Sequence, residues 1–277
     1  MERPVPETVY RGDIAKLLEK VDRERGLDLA QYRRAYVERR IASRLRALGM
    51  HTYRQYSRYI EDHPEEYARM LDALTINVTE FFRDPPVYRL FRDEVVPSIV
   101  DAKRKGRQRI IRVWSAGCAT GEEAYTLAMC FHSALGADAP GFMLTVTGTD
   151  IDPGALAVAA ANRYDVAKLS HIPREDQARY VTVSGDTFSF KPEITRLVRF
   201  RPLNLFQDPP IKVVDLIFCR NVFTYFTREQ QARVLDSFCS ALARGGHLVL
   251  GRSEKMAPGV VGCFDTVSGR ERIYRKR

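Results

Sequence analysis

Short apolar strands alternate with helices from Arg109 onward, and this alternation limits the possible folds more than any other feature of the sequence. The predicted strands are Arg109–Trp114, Phe142–Thr147, Val213–Phe218 and His247–Leu250. The predicted helices between them are Gly121–Leu135, Pro153–Asn162 and Arg228–Ala243. Strands that are separated by helices pair in parallel, with helices covering both faces of the sheet. The sequence therefore predicts an α/β fold.

Two other regions depart from this alternation. Residues 8–74 have a helical pattern, with helices predicted at Asp28–Leu48, Thr52–Asp62 and Glu65–Leu74. We predict a helical N-terminal domain at 1–75 and a second domain at 76–277. Within the second domain, three short strand-like segments interrupt the helices, and they predict a small antiparallel β subdomain at about 178–202. These segments are Tyr180–Val183, Thr187–Phe190 and Arg196–Phe200.

Composition narrows the class of protein without identifying it. The chain has 277 residues, a net charge of +9 and a pI of about 9.4, which favours an acidic partner: nucleic acid, anionic lipid or an acidic protein surface. No apolar run approaches the ~20 residues that span a bilayer, and Met1–Tyr10 contains no signal-peptide stretch. We expect a cytoplasmic protein. Five scattered cysteines predict neither a metal site nor a disulfide framework.

The first candidate site is the turn between the first strand and its helix. Gly117 and Gly121 allow the backbone to approach a ligand closely. The turn lacks the phosphate-binding G-x-x-x-x-G-K-[ST] pattern, and Glu122 and Glu123 would repel a pyrophosphate. A cationic ligand such as a sulfonium amino acid suits these carboxylates better. An ordinary strand-to-helix turn is the alternative, since glycine is common in such turns.

Polar residues follow the carboxyl ends of two other strands, where ligands bind in open α/β sheets. Asp150 ends the second strand and is a candidate for the hydroxyl groups of a ribose. Asp152 precedes Pro153, which favours helix capping for that residue. Arg220, Asn221 and Tyr225 follow the strand Val213–Phe218. The segment Asn77–Asp84, between the two predicted domains, is either part of a cofactor cleft or a linker that caps a helix.

Five motifs occur in series along the chain. They are Asn77-x-Thr79-x-Phe-Phe-Arg83, Trp114-Ser-Ala-x-x-x-Thr-Gly-Glu-Glu123, Thr149-Asp-Ile-Asp152, Pro202-Leu-Asn-Leu205 and Phe218-Cys-Arg-Asn-Val-x-x-Tyr-Phe226. Together they resemble the chemotaxis protein methyltransferases, the CheR family, over about residues 10–277. The resemblance implies a helical N-terminal domain, then a Rossmann-like methyltransferase domain with a small antiparallel β subdomain inserted in it.

The resemblance also implies roles for individual residues. The residues expected to contact S-adenosylmethionine are Asn77, Thr79, Arg83, Gly117, Glu123, Asp150, Asn204, Leu205, Arg220 and Asn221. Arg83 and Tyr225 are expected nearest to the transferred methyl group, as candidate catalytic residues. The implied reaction methylates glutamate side chains of methyl-accepting chemotaxis receptors and leaves S-adenosylhomocysteine. We expect a monomer that uses no metal, binds no nucleic acid and does not insert into a membrane.

The basic charge is concentrated in the N-terminal domain. Residues 30–60 contain eight arginines and one acidic residue, Glu38. At about 100° per residue, Arg33, Arg40 and Arg44 lie on one helix face, beside an apolar stripe of Val37, Ile41, Leu45 and Leu48. A solvated helix face is the plain interpretation. The resemblance favours a docking surface for the glutamate-rich methylation helices of receptors, because the arginine fork matches carboxylates.

Two other functions compete with receptor methylation. A nucleic-acid methyltransferase fits the charge, but the Asp-Pro-Pro sequences at 84–86 and 208–210 precede the apolar strand that such a motif should follow. Cys219 follows that strand, as a nucleophile of cytosine-methylating enzymes does, but it lacks the Pro-Cys context. A receptor-binding adaptor without catalysis is the other candidate, and the presence of both Arg83 and Tyr225 argues against it.

The subdomain suggests how the enzyme reaches its substrate. Some members of the family grip a short peptide at the receptor C-terminus by adding it as a strand, and their first subdomain hairpin has a longer, glycine-rich loop. Here the connection Val183–Phe188 is tight and contains one glycine, Gly185. A tight turn leaves little loop to shape a peptide groove. We therefore predict that this enzyme does not depend on such a tether.

Overall fold

The computed structural model describes residues 7–25, 28–75 and 77–277. They belong to two compact units. The helical unit comprises residues 1–76 with Tyr225–Gln230, and the sheet unit comprises Asn77–Thr224 with Gln231–Arg277. Residues 1–6, part of the stretch expected to lack a signal peptide, lie outside the described residues. Among the helices that the structure describes, none is long and apolar enough to cross a membrane.

The helical unit contains four α-helices: α1 Glu7–Arg25, α2 Arg34–Ala47, α3 Tyr53–Asp62 and α4 Glu66–Leu74. The predicted second and third helices are confirmed as α3 and α4. The first predicted helix, Asp28–Leu48, is correct from Arg34 to Ala47 but begins too early in the prediction. Asp28 accepts a hydrogen bond from the Ala30 N–H at 3.0 Å and begins only a short 3-10 turn. An aspartate that bonds the backbone nearby favours a turn over a continuing helix.

Val37, Ile41 and Leu45 of the predicted apolar stripe on α2 are buried. The predicted docking residue Arg44, however, is already bonded to another side chain of the helical unit. Its Nε and Nη2 donate to the Glu66 carboxylate at 2.8 and 2.9 Å. The Tyr56 hydroxyl donates to the same carboxylate at 2.9 Å. Glu66 is fully buried. Burial raises the pKa of Glu66, but the hydrogen bonds from Arg44 and Tyr56 outweigh it and hold that pKa below its usual value.

The sheet unit contains a seven-stranded sheet with the strand order β6-β2-β1-β7-β8-β10-β9. Its strands are β1 Ile110–Ala116, β2 Met143–Asp150, β6 Val198–Pro202, β7 Val214–Cys219, β8 Leu242–Leu250, β9 Phe264–Ser268 and β10 Ile273–Lys276. The first five in sheet order are parallel, β10 runs antiparallel to β8, and β9 runs antiparallel to β10. The predicted α/β class is therefore confirmed.

Helices cover this sheet. They are α5 Pro85–Leu90, α6 Val96–Lys105, α7 Glu122–Leu135, α8 Pro153–Ala161, α9 Arg174–Tyr180, α10 Pro192–Thr195 and α11 Arg228–Ala241. A π-helical turn, Phe91–Val95, joins α5 to α6. The sequence predicts no disulfide framework, and a single disulfide occurs among the described residues. It joins Cys239 on α11 to Cys263, just before β9, with the two Cα atoms 6.5 Å apart.

A second, three-stranded antiparallel sheet has the order β3-β5-β4, with β3 Tyr164–Asp165, β4 Val181–Ser184 and β5 Thr187–Phe190. The sequence correctly predicts the hairpin of β4 and β5 but assigns the third strand wrongly. Residues 198–202 join the large sheet as β6, parallel to β2. Buried Phe188 and Phe190 attach the small sheet to Phe81, with ring centroids 5.8 and 5.4 Å away.

We expect Arg44→Met to destabilise the helical unit by about 3 kcal/mol, because it leaves Glu66 buried without its cation. Chemical unfolding followed by circular dichroism measures the loss. Arg46→Met is the matched control: Arg46 is exposed on the same helix, and its loss should cost under ~0.5 kcal/mol. Adding Glu66→Gln to Arg44→Met should recover part of the stability. Equal losses in the two arginine variants would contradict a structural role for Arg44.

Candidate active site

The loop after β1 is fastened to the end of β2. The Gly117 and Cys118 N–H groups both donate to the Thr149 carbonyl, at 2.8 and 2.9 Å. Gly117 has φ +77°, and a Cβ there would lie 2.5 Å from a Val222 methyl. Only glycine fits this backbone conformation and this close approach. The glycine turn therefore lies across the carboxyl edge of the sheet, where ligands bind in this class of fold.

Asp150 lies at the same edge. Its carboxylate accepts hydrogen bonds from the Ala119 N–H at 2.8 Å and the Asp152 N–H at 3.1 Å. Burial raises the pKa of Asp150. Asp152 caps α8 by accepting from the Gly154 N–H at 2.8 Å, which confirms its predicted capping role. The Asn77 side chain donates to Asp152 at 2.6 Å. The structure therefore brings Asn77, Gly117 and Asp150 together around one turn.

Glu123, on α7, forms no ion pair within the described residues. It is 9% exposed, and the Ser115 hydroxyl donates to its carboxylate at 2.7 Å. Burial raises the pKa of Glu123 to about 7, although the charge of Arg220 and the bond from Ser115 favour the ionised form. Glu122, by contrast, is ion-paired with Lys168. The charge of Glu122 is therefore already balanced by a lysine, and the role predicted for the carboxylates beside the ligand stays a prediction for Glu123.

The Arg83 loop, residues 79–84, is held by the predicted site residue Arg220. The Arg220 Nη1 donates to the Arg83 carbonyl at 2.8 Å, and its Nη2 donates to the Asp84 carboxylate. Arg220 is 6% exposed. Both Nη atoms are therefore bonded to protein groups, whereas the buried Nε has no hydrogen-bond partner among the described residues. The predicted contact of Arg220 with the cofactor stays a prediction. The Arg83 side chain donates to the Val78 carbonyl at 2.9 Å.

Sequence reasoning missed Glu254, which accepts hydrogen bonds from the backbone of the loop after β7. Its carboxylate accepts hydrogen bonds from the Gly251 N–H at 2.6 Å and the Phe223 N–H at 2.8 Å. Glu254 is 3% exposed, and burial raises its pKa. One signal was available: Glu254 closely follows the apolar strand β8, where acidic residues of such folds often serve the ligand site.

The remaining predicted residues are Asn204, Thr79 and Leu205 in the sheet unit and Tyr225 in the helical unit. Asn204 follows β6, and the adjacent Leu203 N–H donates to the Asp150 carbonyl at 3.0 Å, which places Asn204 at the same edge as Asp150. Thr79 and Leu205 are half-buried on their loops. Tyr225 belongs to the helical unit, where its ring lies 4.7 Å from that of Tyr36. Its predicted catalytic role stays a prediction.

The donor and acceptor groups at this edge suit S-adenosylmethionine, the cofactor that the resemblance implies. Within the described residues, no donor reaches the buried Asn221 Oδ1, so this oxygen can accept from an amine or hydroxyl of the ligand. Asp150 and Glu123 supply negative charge near a cationic ligand. The same described part of the chain contains no group of acidic, histidine or cysteine side chains arranged for a metal ion.

We expect binding of S-adenosylmethionine to release a proton from Glu123. A cation beside a carboxyl group lowers its pKa, and at pH 7 a group with a pKa of about 7 is protonated in about half of the molecules. Calorimetry at pH 7 in two buffers of different ionisation enthalpy should therefore report roughly half a proton released per cofactor. Cofactor affinity should rise as the pH increases through this range.

Two controls test the assignment to Glu123. Glu123→Gln should release no proton, and S-adenosylhomocysteine, which lacks the sulfonium charge, should release less than S-adenosylmethionine. Binding enthalpies of the wild-type protein that do not depend on the buffer would contradict the prediction.

Comparison with known proteins gives a consistent result. Residues 77–273 match the family model described as CheR methyltransferase, SAM binding domain, and residues 12–75 match the one described as CheR methyltransferase, all-alpha domain. The chain is 32% identical to a probable chemotaxis protein methyltransferase of Rhizobium etli, over 87% of this chain and 92% of that protein. It is 31% identical to a chemotaxis protein methyltransferase of Listeria monocytogenes, over 85% and 87% of the two chains.

A third relative is longer. An uncharacterized 104.1 kDa protein of Rhodobacter capsulatus is 32% identical over 95% of this chain, and the chain spans 27% of its length. The two family models together match most of the present sequence. The chain therefore belongs to the CheR family of chemotaxis protein methyltransferases, and its cofactor is S-adenosylmethionine.

Proposed function

We propose that this enzyme transfers a methyl group from S-adenosylmethionine to glutamate side chains of methyl-accepting chemotaxis receptors, giving glutamyl methyl esters and S-adenosylhomocysteine. The observation that carries the proposal is the match of one chain to both the all-alpha and the cofactor-binding model of the family. We propose residues 1–75 as the docking domain and 76–277 as the methyltransferase domain, and we expect a monomeric enzyme.

For methyl transfer to a glutamate carboxylate, the protein mainly has to position the two reacting groups. A glutamate carboxylate with a pKa of about 4.3 is already ionised at neutral pH, so no general base is needed. The bound cofactor supplies an electrophilic methyl group. Orientation of the reacting groups can contribute about 7–11 kcal/mol. We assign to Arg83 the orientation of a carboxylate through its paired N–H donors. We assign to Tyr225 either a hydrogen bond to a reacting group or packing of its ring beside the sulfonium.

Nucleic-acid methylation through a cysteine nucleophile has little support from the geometry. Cys219, which would serve in that reaction, is fully buried. Burial raises the pKa of its thiol well above the ordinary value. A thiol of that kind is seldom a thiolate at neutral pH, and the thiolate is the nucleophile.

We propose that receptors dock on a basic surface formed by Arg33, Arg39 and Arg40 of the helical unit. Arg39 is exposed and Arg40 is partly exposed. Arg33 is exposed and keeps its Nη atoms for a partner, while its Nε donates to the Phe226 carbonyl at 3.2 Å. The guanidinium carbons of Arg39 and Arg40 lie 5.9 and 5.5 Å from the centroid of the Tyr36 ring, which is in contact with Tyr225. Arg44 is left out of this surface because of its bond to Glu66.

A direct assay tests the proposed reaction. The enzyme is incubated with labelled S-adenosylmethionine and a receptor cytoplasmic fragment, and base-labile methanol is measured. Release of labelled methanol marks a glutamyl methyl ester, and Tyr225→Phe should lower the turnover while cofactor affinity is kept. Label that resists base, or no transfer to the receptor, would overturn receptor glutamate methylation.

The same assay tests docking with charge reversals. Arg33→Glu with Arg39→Glu should lower receptor methylation and leave cofactor affinity unchanged, and wild-type methylation should fall as salt rises. Arg54→Glu with Arg58→Glu makes an equal change of charge on the exposed side of α3 and serves as the control. If both double variants lose activity equally, net charge alone explains the effect and the proposed surface is wrong.

We also propose that methylation does not depend on a receptor C-terminal tether. The hairpin of β4 and β5 supports this: Ser184 pairs with Thr187, so only Gly185 and Asp186 form the turn. A receptor C-terminal pentapeptide should show no binding by calorimetry, and deleting the receptor tail should leave methylation intact. Binding of the peptide in the micromolar range, about −8 kcal/mol, would contradict this.

A further inference from the structure

The Arg83 loop contains two non-glycine residues in the left-handed conformation. Phe82 has φ +51° and Asp84 has φ +61°, so they bracket Arg83 within three positions. A bulky side chain rarely adopts this region, and such residues persist only where surrounding structure holds them. The direction in which Arg83 leaves the backbone therefore depends on contacts made by its two neighbours.

Arg220 holds one side of the loop, through the Arg83 carbonyl and the Asp84 carboxylate. Arg92 holds the other side, through the ring of Phe82. The Arg92 guanidinium carbon lies 4.7 Å from the centroid of that ring, within the range of a cation–π contact. Tyr88 packs edge-on against the same ring at 5.4 Å. Phe82 is 7% exposed, so its ring is enclosed between these two groups.

The position of Arg92 is itself fixed by two further elements. Its Nη2 donates to the Asp176 carboxylate on α9, and its Nε lies 3.3 Å from the Cys130 sulfur on α7. Asp176 is 4% exposed, and a buried carboxylate paired with arginine is costly to separate from it. Arg92 lies in the π-helical turn Phe91–Val95, a distortion that often occurs next to functional sites.

We propose that Arg92 is a positioning residue: anchored by Asp176, it holds the Phe82 ring and so keeps Arg83 in the orientation from which it contacts the cofactor. This inference rests on the cofactor contact proposed for Arg83. Arg92 does not touch the reacting groups, and its effect on binding passes through Phe82 and Arg83.

An ion pair that only stabilises the fold offers a matched control. Lys103 on α6 pairs with Asp215 on β7 at 2.7 Å, with side chains that are 16% and 11% exposed, compared with 33% and 6% for Arg92 and Asp176. Asp215 also accepts from the backbone N–H of Arg112 on β1 at 2.9 Å. These contacts tie α6 and two strands together, and they include no residue of the Arg83 loop. Lys103→Gln should therefore lower the melting temperature without weakening cofactor binding.

The test measures the dissociation constant of S-adenosylmethionine for the full chain by calorimetry. Arg83→Ala should weaken binding roughly tenfold, as loss of a charged hydrogen bond does. Arg92→Gln should weaken it by at least about fivefold. The double variant should bind no more than about twofold more weakly than Arg83→Ala alone, because both changes remove one contact. Arg92→Lys, which keeps the charge opposite Asp176 but not the planar stacking, should weaken binding by less and serves if Arg92→Gln does not fold.

Three results would overturn the proposal. They are affinity within about twofold of wild type in both Arg92 variants, losses that multiply in the double variant, and an equal loss in Lys103→Gln. Since the readout is cofactor binding, it does not depend on which carboxylate receives the methyl group. A failure to methylate receptor glutamates would therefore count against the proposed function and leave this test unaffected.

Discussion

One carbonyl group, that of Thr149, organises the candidate site. It accepts hydrogen bonds from both Gly117 and Cys118, and the Thr149 hydroxyl accepts another from the Trp114 indole at 2.9 Å. These bonds close the glycine turn over the end of β2 and bring the Ala119 N–H onto the Asp150 carboxylate. They form because β1 and β2 pair in parallel with Ala116 beside Thr149. A shift of this register by one residue would turn every side chain of one strand to the opposite face and would separate the turn from Asp150.

The second constraint is electrostatic. Glu123, Asp150 and Glu254 are carboxyl groups at this edge whose pKa values are all raised by burial. Among the described residues, the hydrogen-bond donors to these carboxyl groups are a hydroxyl and backbone N–H groups. Neutral donors satisfy the oxygen atoms, and the charge of Arg220 offsets only part of the cost of ionising Glu123 and Glu254, because the pKa values of both stay raised. The edge therefore gains most from a ligand that brings positive charge, as a sulfonium cofactor does.

The sequence predicts the parts of this architecture that depend on local patterns. The alternating strands, the capping by Asp152 and the β4–β5 hairpin are read from neighbouring residues, and they are correct. The sequence-based predictions fail where the structure of a segment depends on residues far away in the chain. Residues 198–202 have the pattern of a strand, but their partner is β2, about 50 residues earlier. Arg44 lies on the helix face that periodicity predicts, yet its side chain turns to Glu66, which no spacing rule on α2 could indicate. Arg92 was missed for the same reason.

The Arg83 loop shows why a motif in sequence is not yet a site. Residues 77–84 match the family pattern, but apart from the bond of Arg83 to the Val78 carbonyl, the described contacts that hold Phe82 and Asp84 in the left-handed conformation come from outside that stretch. They include contacts with Arg220, 136 positions beyond Asp84, and with Arg92, which is placed by Asp176, 84 positions beyond it. An isolated peptide of this sequence would therefore leave the left-handed region, because strain of this kind persists only under external contacts. The orientation of Arg83 therefore depends on the folded sheet unit as a whole. The motif contains Arg83, but Arg220 and Asp176, which help to hold its loop directly or through Arg92, lie far from it in the chain.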